Sequence, residues 1–359
     1  MSNTAKADLL GPLLKSVSRS FYLTLRVLPA RMRDPVGLAY LLARAADTIA
    51  DTSLIDPARR LALLLALRAA VGGDRSEETV AMIGQVADEV AGQQALADEK
   101  RLLESLSPAL ALIDEFDACD RAAVRDIVTT LTTGMEFDLQ TFPAEDSGRI
   151  AALRDASELD RYTYLVAGCV GEFWTKMTCA HMPGTFDESH EAVIARGVRF
   201  GKALQLTNIL RDCSKDLRIG RCYLPLPLLE RHGLTPASLL AADASSRARP
   251  VLVELMATAL DHYRAAADYT FAIPRLSIRL RLACLWPILI GLETLRLLSN
   301  NDAWLDPTKI SKVGRNDVYR LVAGSAAVVC FDGVLRRWIE RLIGEVEAGV
   351  GAAAAAAVA

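Results

Sequence analysis

The chain has 359 residues, a net charge of −3 and an apolar fraction of 52%, with aromatic residues at only 6%. A weakly acidic chain does not indicate a nucleic-acid partner, and the seven cysteines and four histidines lack the spacing of a zinc or disulfide framework. We therefore expect a reducing, cytoplasmic location. No secretory signal or stretch of roughly 18 uninterrupted apolar residues is visible. Peripheral association with the inner face of a membrane stays open, and no stable protein partner is implied.

A helical period of apolar residues recurs along nearly the whole chain, and alternating runs typical of strands are absent. The pattern predicts helices at residues 35–52, 57–72, 76–105, 107–118, 120–142, 157–181, 187–216, 248–271, 276–300 and 314–347. Because no long linker or internal repeat separates them, we predict one all-α domain over residues 1–359. Its parts are a core from about 16 to 300, a segment and helix from about 300 to 347, and a frayed or disordered tail at 348–359.

The first helix of that list carries a polar stripe. Tyr40, Arg44, Asp47 and Asp51 follow one another at steps of four, three and four residues, so they share one helix face. Two carboxylates one turn apart repel each other unless a cation offsets them. Mg²⁺ typically binds one or two carboxylates together with phosphate oxygens. The stripe predicts such a site; an ordinary solvated face with an Arg44 ion pair is the alternative.

A second stripe lies about 165 residues later. Gln205, Asn208, Asp212 and Asp216 are spaced by three, four and four residues, and their side-chain oxygens suit the same hard cation. The cations that follow are Arg211, Lys215, Arg218 and Arg221. Cations among metal-binding carboxylates make sense if the site also holds a diphosphate. An amphipathic polar face is the alternative for this stripe taken alone.

Two further segments could serve the same chemistry. Ser18 and Arg19 could bind a diphosphate, although an N-cap explains the serine equally well. In the segment 162–174, Gly168 and Gly171 indicate either close helix packing or room for a prenyl chain. Tyr162 could stabilise a carbocation through its ring or handle a proton, or it could simply pack.

A polar break follows the helix predicted at 276–300. It carries Lys309, Lys312 and Arg315. Those cations could meet an anionic cofactor, or the break could be an ordinary solvated connection.

Together these motifs resemble the squalene/phytoene synthase family. The most specific piece is QLTNILRDCSKDLRIGRCYLP at 205–225, and SRSF, YLLARAADTIAD and DRYTYLVAGCVG match in the same order. The resemblance covers about residues 16–318 and implies an all-α isoprenoid-synthase fold, a helical bundle around a central cavity. It implies that Asp47, Asp51, Asp212, Asp216 and Asn208 hold Mg²⁺, that Ser18, Arg19, Arg44, Gln205, Arg211, Arg218 and Arg221 bind substrate diphosphate, and that Tyr162, Tyr40 and Arg44 act in catalysis.

The implied reaction joins two farnesyl diphosphates head to head through presqualene diphosphate. Asn300, Asn301 and the run Lys309–Gly314 resemble a segment linked to NADPH use, so the resemblance favours reduction to squalene and assigns cofactor binding to Lys309, Lys312 and Arg315. The alternatives are an unreduced product (presqualene diphosphate, dehydrosqualene or phytoene) and a catalytically inactive helical scaffold. The chain departs from the family pattern at Ala50, Lys215 and Ser311, where acidic, acidic and basic residues are usual.

Overall fold

The computed structural model describes residues 3–18, 21–53, 55–94 and 96–358. The α-helices are α1 (Asn3–Asp8), α2 (Leu14–Ser18), α3 (Phe21–Val27), α4 (Ala30–Asp51), α5 (Pro57–Gly72), α6 (Glu77–Gln85), α7 (Ala97–Glu104), α8 (Leu106–Ile113), α9 (Ala118–Thr141), α10 (Ala156–Thr163), α11 (Cys169–His181), α12 (His190–Asp216), α13 (Leu226–Arg231), α14 (Ala244–Arg247), α15 (Arg249–Ala272), α16 (Ile278–Ser299), α17 (Arg315–Val328) and α18 (Asp332–Val358). The described residues also form two short strands, β1 (Ala151–Leu153) and β2 (Arg221–Pro225), and several short π-helical and 3₁₀ turns. The predicted all-α class is confirmed.

Local sequence signals explain where several helices begin and end. Asp56 caps α5 by accepting a hydrogen bond from the Ala58 amide at 2.9 Å, with proline at the first helical position. Gly73 ends the same helix in the left-handed conformation, with φ of 108°. Ser189 caps α12 by accepting a hydrogen bond from the Ala192 amide.

Three predicted helices are interrupted in the structure. The stretch predicted at 76–105 is divided into α6 and α7 by a π-helical turn at Val86–Val90 and a 3₁₀ turn. A second π-helical turn, Tyr164–Gly168, separates α10 from α11. The stretch predicted at 314–347 is divided into α17 and α18, and α18 continues to Val358, where we expected a frayed tail. The alanine run after residue 351 has high helix propensity and contains no proline, which favours this extension.

The first of two compact units comprises Met1–Gln140 and Lys176–Pro183. Helix α4 packs against α5, α7 and α8 within it. Its fully buried side chains include Leu38, Leu41, Leu42 and Ile49. Burial of this apolar face orients the polar stripe of α4 away from the core of the unit.

The second unit comprises Thr141–Thr175 and Gly184–Ala359, and α12 packs against α15 within it. Glycines bring α12 against the chain around the second π-helical turn. A Cβ on Gly171 would lie 1.8 Å from the Gly197 carbonyl oxygen, and one on Gly201 would lie 2.0 Å from the Ala167 carbonyl oxygen. Close helix packing therefore explains Gly171, the first of the two explanations offered by the sequence.

Pairing between the two strands holds the chain in place just after α12. They pair in parallel, with Ala151 opposite Arg221 and Ala152 opposite Cys222. Gly220 precedes β2 with φ of 85°, and a Cβ there would lie 2.6 Å from the Arg149 carbonyl oxygen. The pairing therefore needs glycine at this position and sets the direction of β2.

Helix α16 is the one helix in the described part of the chain with the length and hydropathy of a membrane span. Within its most apolar window, 67% of the residues are buried inside the protein. A core helix passes the same test, so this finding gives little support for a span.

Candidate active site

The stripe of α4 is arranged around a guanidinium. Arg44 donates to Asp47 at 2.5 Å through one nitrogen and to Glu99 on α7 at 2.5 Å through the other. Tyr40 donates from its hydroxyl to the Val17 carbonyl at 3.3 Å. Asp51 ends α4 and is exposed. Arg44 thus stands between two carboxylates, one predicted from the sequence and one, Glu99, that the sequence analysis missed.

The carboxyl group of Asp47 has a raised pKa. The protein packed around its carboxylate disfavours the charge, and the neighbouring Asp51 adds to this, so the pKa rises from 3.8 to about 6 despite the opposing effect of Arg44. The side chain still has 41% of its surface exposed. A carboxylate that is crowded by another yet reachable from solvent is one that a bound cation would stabilise.

This raised pKa predicts a dependence of stability on pH. The folded chain holds the Asp47 proton more tightly than the unfolded chain, so the associated stability is fully present below pH 3.8 and is lost as pH rises to about 6. Relative to Asp47→Asn, the metal-free wild type should therefore lose free energy of unfolding between pH 4 and 6, as measured by urea denaturation. The loss should shrink in an Asp51→Asn background. A difference that stays constant from pH 4 to 7 would contradict this assignment.

The stripe of α12 forms in the second unit. Gln205, Asn208, Asp212 and Asp216 all lie on α12 and are partly exposed. Within the described part of the chain, the carboxamides of Gln205 and Asn208 make no side-chain hydrogen bond. Asp216 lies close enough to the buried thiols of Cys213 and Cys222 to help raise their pKa, after the larger effect of burial. The helix thus aligns four oxygen-bearing side chains along one face.

The arginines of this region have protein partners in the structure. Arg211 pairs with the adjacent Asp212, at 3.0 and 2.5 Å. Arg221 donates to Glu145 at 3.3 Å. Arg218 donates to the Ser214 carbonyl and, at 3.5 Å, to that of Leu305. To bind a diphosphate, each guanidinium would share or exchange these contacts.

Tyr162 is buried, with 5% of its surface exposed. Its ring stacks on that of Tyr223, with centroids 4.8 Å apart and an interplanar angle of 21°. Phe142 meets Tyr223 edge-on at 4.9 Å. Tyr223 lies on β2, so the strand pair positions the ring beneath Tyr162. The sequence analysis assigned no role to Tyr223, although it belongs to the RCYLP motif.

The neighbouring Tyr164 begins the π-helical turn. Its hydroxyl donates to Glu172 at 2.8 Å, and burial together with that carboxylate raises its pKa to about 12. Tyr164 therefore stays protonated at neutral pH. Of the two tyrosines in this segment, Tyr162 remains the candidate for catalysis.

The basic segment after α16 is fixed by its own polar contacts. The side-chain amide of Asn301 donates to the Lys309 carbonyl at 2.7 Å and to the Ser311 hydroxyl at 3.0 Å. Ser311 is buried, whereas Lys309, Lys312 and Arg315 are exposed. Asn301 thus closes the segment into a loop that presents its cations outward.

The motif at residues 18–21 lies only partly within the described residues. The Ser18 hydroxyl donates to the Leu14 carbonyl at 2.5 Å and is 2% exposed. Ser18 would have to turn away from its own helix to reach a diphosphate. Arg19 lies outside the described residues.

The paired aspartates suit a Mg²⁺ ion that also binds oxygens of the substrate. Within the described residues, no three His, Cys, Asp or Glu side chains group together as a complete metal site. Paired aspartates with free carboxamides nearby provide an incomplete set of oxygen ligands, which suits a cation completed by phosphate oxygens and water. The raised pKa of Asp47 points the same way, because its carboxylate lacks enough positive charge nearby to offset burial and Asp51.

The profile of the squalene/phytoene synthase family matches residues 14–315. The chain belongs to the squalene/phytoene synthase family. This family acts on prenyl diphosphates in isoprenoid biosynthesis, and its members are prenyltransferases. The match includes both aspartate stripes, Tyr162 and the loop closed by Asn301.

Curated relatives within the family differ in activity. A bifunctional lycopene cyclase/phytoene synthase from Colletotrichum graminicola is 29% identical over 73% of this chain. The chain spans only 41% of that relative's length. A presqualene diphosphate synthase from Rhodopseudomonas palustris is 29% identical over 72% of this chain and 77% of its own length. A squalene synthase from Eremothecium gossypii is 25% identical over 84% of this chain and 64% of its own length.

Solved structures support the fold. The structure of TcSQS with the ligand E5700 is 20% identical and covers 98% of this chain and all of that chain, with a TM-score of 0.71. A dehydrosqualene synthase in complex with a ligand is 21% identical, covers 91% of this chain and 96% of its own, and has a TM-score of 0.59. The isoprenoid-synthase fold expected from the sequence is therefore confirmed.

Proposed function

We propose that this member of the family is a squalene synthase. It would join two farnesyl diphosphates head to head through presqualene diphosphate and reduce the product to squalene with NADPH. The observation that favours reduction is the attachment of the basic loop to the end of α12. Arg218, two residues after Asp216, donates to the Leu305 carbonyl, and Asp306 has its pKa lowered chiefly by Thr308 and further by Lys309 and Arg218. The start of the loop, including Lys309, therefore lies near the C-terminal end of α12, where the second aspartate stripe ends.

In this proposal the two stripes bind the leaving groups. Asp47, Asp51, Asp212, Asp216 and Asn208 would hold Mg²⁺, which neutralises the diphosphate that departs with the bonding electron pair. Arg44, Arg211, Arg218, Arg221, Gln205, Ser18 and Arg19 would bind diphosphate oxygens. Tyr40 would keep Arg44 and its neighbours in place through its bond to Val17. The allylic cation formed then needs a site without water.

Tyr162 would act on that cation. Its ring face is electron-rich, and stacking on Tyr223 restricts its orientation. NADPH, when bound, would supply the hydride that converts the rearranged carbocation to squalene, with NADP⁺ as the other product. Lys309, Lys312 and Arg315 would bind the phosphates of the dinucleotide.

A second candidate is presqualene diphosphate synthase. The Rhodopseudomonas palustris relative aligns over most of its own length. In addition, Ser311 is buried against Asn301, so this position offers no cation to a dinucleotide. Dehydrosqualene and phytoene synthase are further alternatives without reduction.

Product analysis separates these reactions. Purified protein should be incubated with farnesyl or geranylgeranyl diphosphate and Mg²⁺, with and without NADPH, and the products identified by mass spectrometry. Squalene only in the presence of NADPH supports the proposal. Presqualene diphosphate, dehydrosqualene or phytoene in both incubations rejects it in favour of an unreduced product, and no product from either donor favours the inactive scaffold.

The loop cations give a sharper prediction. Lys309→Ala combined with Lys312→Ala should raise the KM for NADPH about a hundredfold or more, because each lost phosphate contact removes about 1.5 kcal/mol or more. The rate of presqualene diphosphate formation should change little. Lys100→Ala, an exposed lysine on α7, is the matched control. Equal losses in both half-reactions would contradict the assignment of these lysines to the cofactor.

A further inference from the structure

An exposed apolar surface lies where α16 and α18 begin. It consists of Leu276, Ile278, Phe331 and Val334, with 86%, 43%, 61% and 40% of their surfaces exposed. We call these four side chains the apolar patch. Isolated exposed apolar residues are common, but several together indicate an interaction surface.

Salt bridges hold the two parts of the patch together. Arg275, next to Leu276, donates to Asp332 at 2.8 Å, and the fully buried Arg281 donates to the other oxygen of Asp332. Asp332 directly follows Phe331. The loop before α16 and the start of α18 are therefore fixed side by side, and the patch is preformed.

The patch is surrounded by positive charge. Residues 273–282 and 331–339 contain five arginines and one aspartate, a net charge of +4 in a chain whose total is −3. Arg275, Arg279, Arg336 and Arg337 are exposed. Asp332 is neutralised by its two arginines, and Asp268 lies at the edge, 3.7 Å from Arg336.

We propose that the apolar patch docks on the surface of an anionic lipid bilayer. Apolar side chains would enter the boundary between headgroups and acyl chains, and the surrounding arginines would meet lipid phosphates. A second copy of the chain is a poorer occupant, because a two-fold contact would oppose two surfaces that each carry the exposed arginines Arg275, Arg279, Arg336 and Arg337. Protein interfaces also tend to be depleted of charge at their core. The proposal does not depend on which product the enzyme makes.

Sedimentation with vesicles tests this proposal. The purified full chain should bind vesicles of phosphatidylcholine and phosphatidylglycerol and should bind vesicles of phosphatidylcholine alone far more weakly. Leu276→Asp combined with Phe331→Asp should weaken binding at least about tenfold. Arg279→Gln and Arg337→Gln should each weaken it about fivefold, with a smaller effect at high salt.

Matched controls lie elsewhere on the surface. Val80→Asp replaces a side chain that is 58% exposed, and Arg231→Gln replaces one that is 65% exposed; both should leave vesicle binding unchanged. Circular dichroism confirms that each variant is folded. The proposal would be overturned if the wild type failed to bind anionic vesicles. It would also be overturned if the Leu276→Asp, Phe331→Asp variant bound them as well as the wild type. A dimer of the wild type that the same changes dissociate would overturn it too.

Discussion

Asparagine in place of Asp212 should lower kcat/KM for farnesyl diphosphate by about 10²–10³-fold, the range seen when one preorganised charge-stabilising group is removed. The amide keeps the shape of the side chain and loses the charge that would bind Mg²⁺. Asp212 is 32% exposed, and its ion-pair partner is its neighbour Arg211, so the fold should tolerate the change. Steady-state kinetics over a Mg²⁺ titration, together with thermal unfolding, check this expectation.

Asp261→Asn is the control for that experiment. Asp261 is also a helical aspartate beside an arginine, 2.6 Å from Arg199, and is 69% exposed on α15. Its loss should leave kcat/KM unchanged. If Asp212→Asn kept wild-type activity at every Mg²⁺ concentration, the metal-binding role of the α12 stripe would be wrong. If it lost only the NADPH-dependent step, the stripe would serve the second half-reaction alone.

Alanine in place of Gly171 should destabilise the second unit by about 3 kcal/mol, the upper end of the range for overpacking. The new Cβ would meet the Gly197 carbonyl oxygen at 1.8 Å, and a backbone atom cannot turn aside as a flexible side chain can. Helix α12 would have to move, and the α12 stripe with it. We expect a lower midpoint of urea unfolding and reduced activity.

Gly344→Ala should change the free energy of unfolding in the opposite direction. Gly344 is an exposed position within α18, and nothing lies within 4 Å of the Cβ that alanine would add. Alanine should therefore stabilise the protein by up to about 1 kcal/mol through helix propensity alone. Equal unfolding midpoints for the two variants would contradict the packing explanation for Gly171.

Helices were predicted well wherever local signals define them. Helix α5 begins at proline after an aspartate cap and ends at a left-handed glycine, and its predicted bounds 57–72 match the structure. The stretch 76–105 has the same helical period but contains a π-helical and a 3₁₀ turn, which depend on how the chain packs. A periodic pattern records which residues face the core but not where the backbone departs from the regular helix.

Residues of the candidate site were predictable when they share one helix. Asp47 and Asp51, or Asp212 and Asp216, are neighbours because helix geometry makes them so. Glu99 and Tyr223 were missed because each reaches its partner from a distant part of the chain. The family motif places a tyrosine at 223 without saying what its ring contacts.

The sequence by itself determined the helical class, the family and the two carboxylate stripes, because these depend on residue order and on the pitch of one helix. Only the tertiary structure decided how those groups behave. Burial and a neighbouring charge raise the pKa of Asp47, and Arg218 with Asn301 fixes the basic loop near α12. The exposure of Leu276 and Phe331 likewise follows from packing. Solvation and electrostatic fields depend on every element around a group, and residue order alone does not specify that environment.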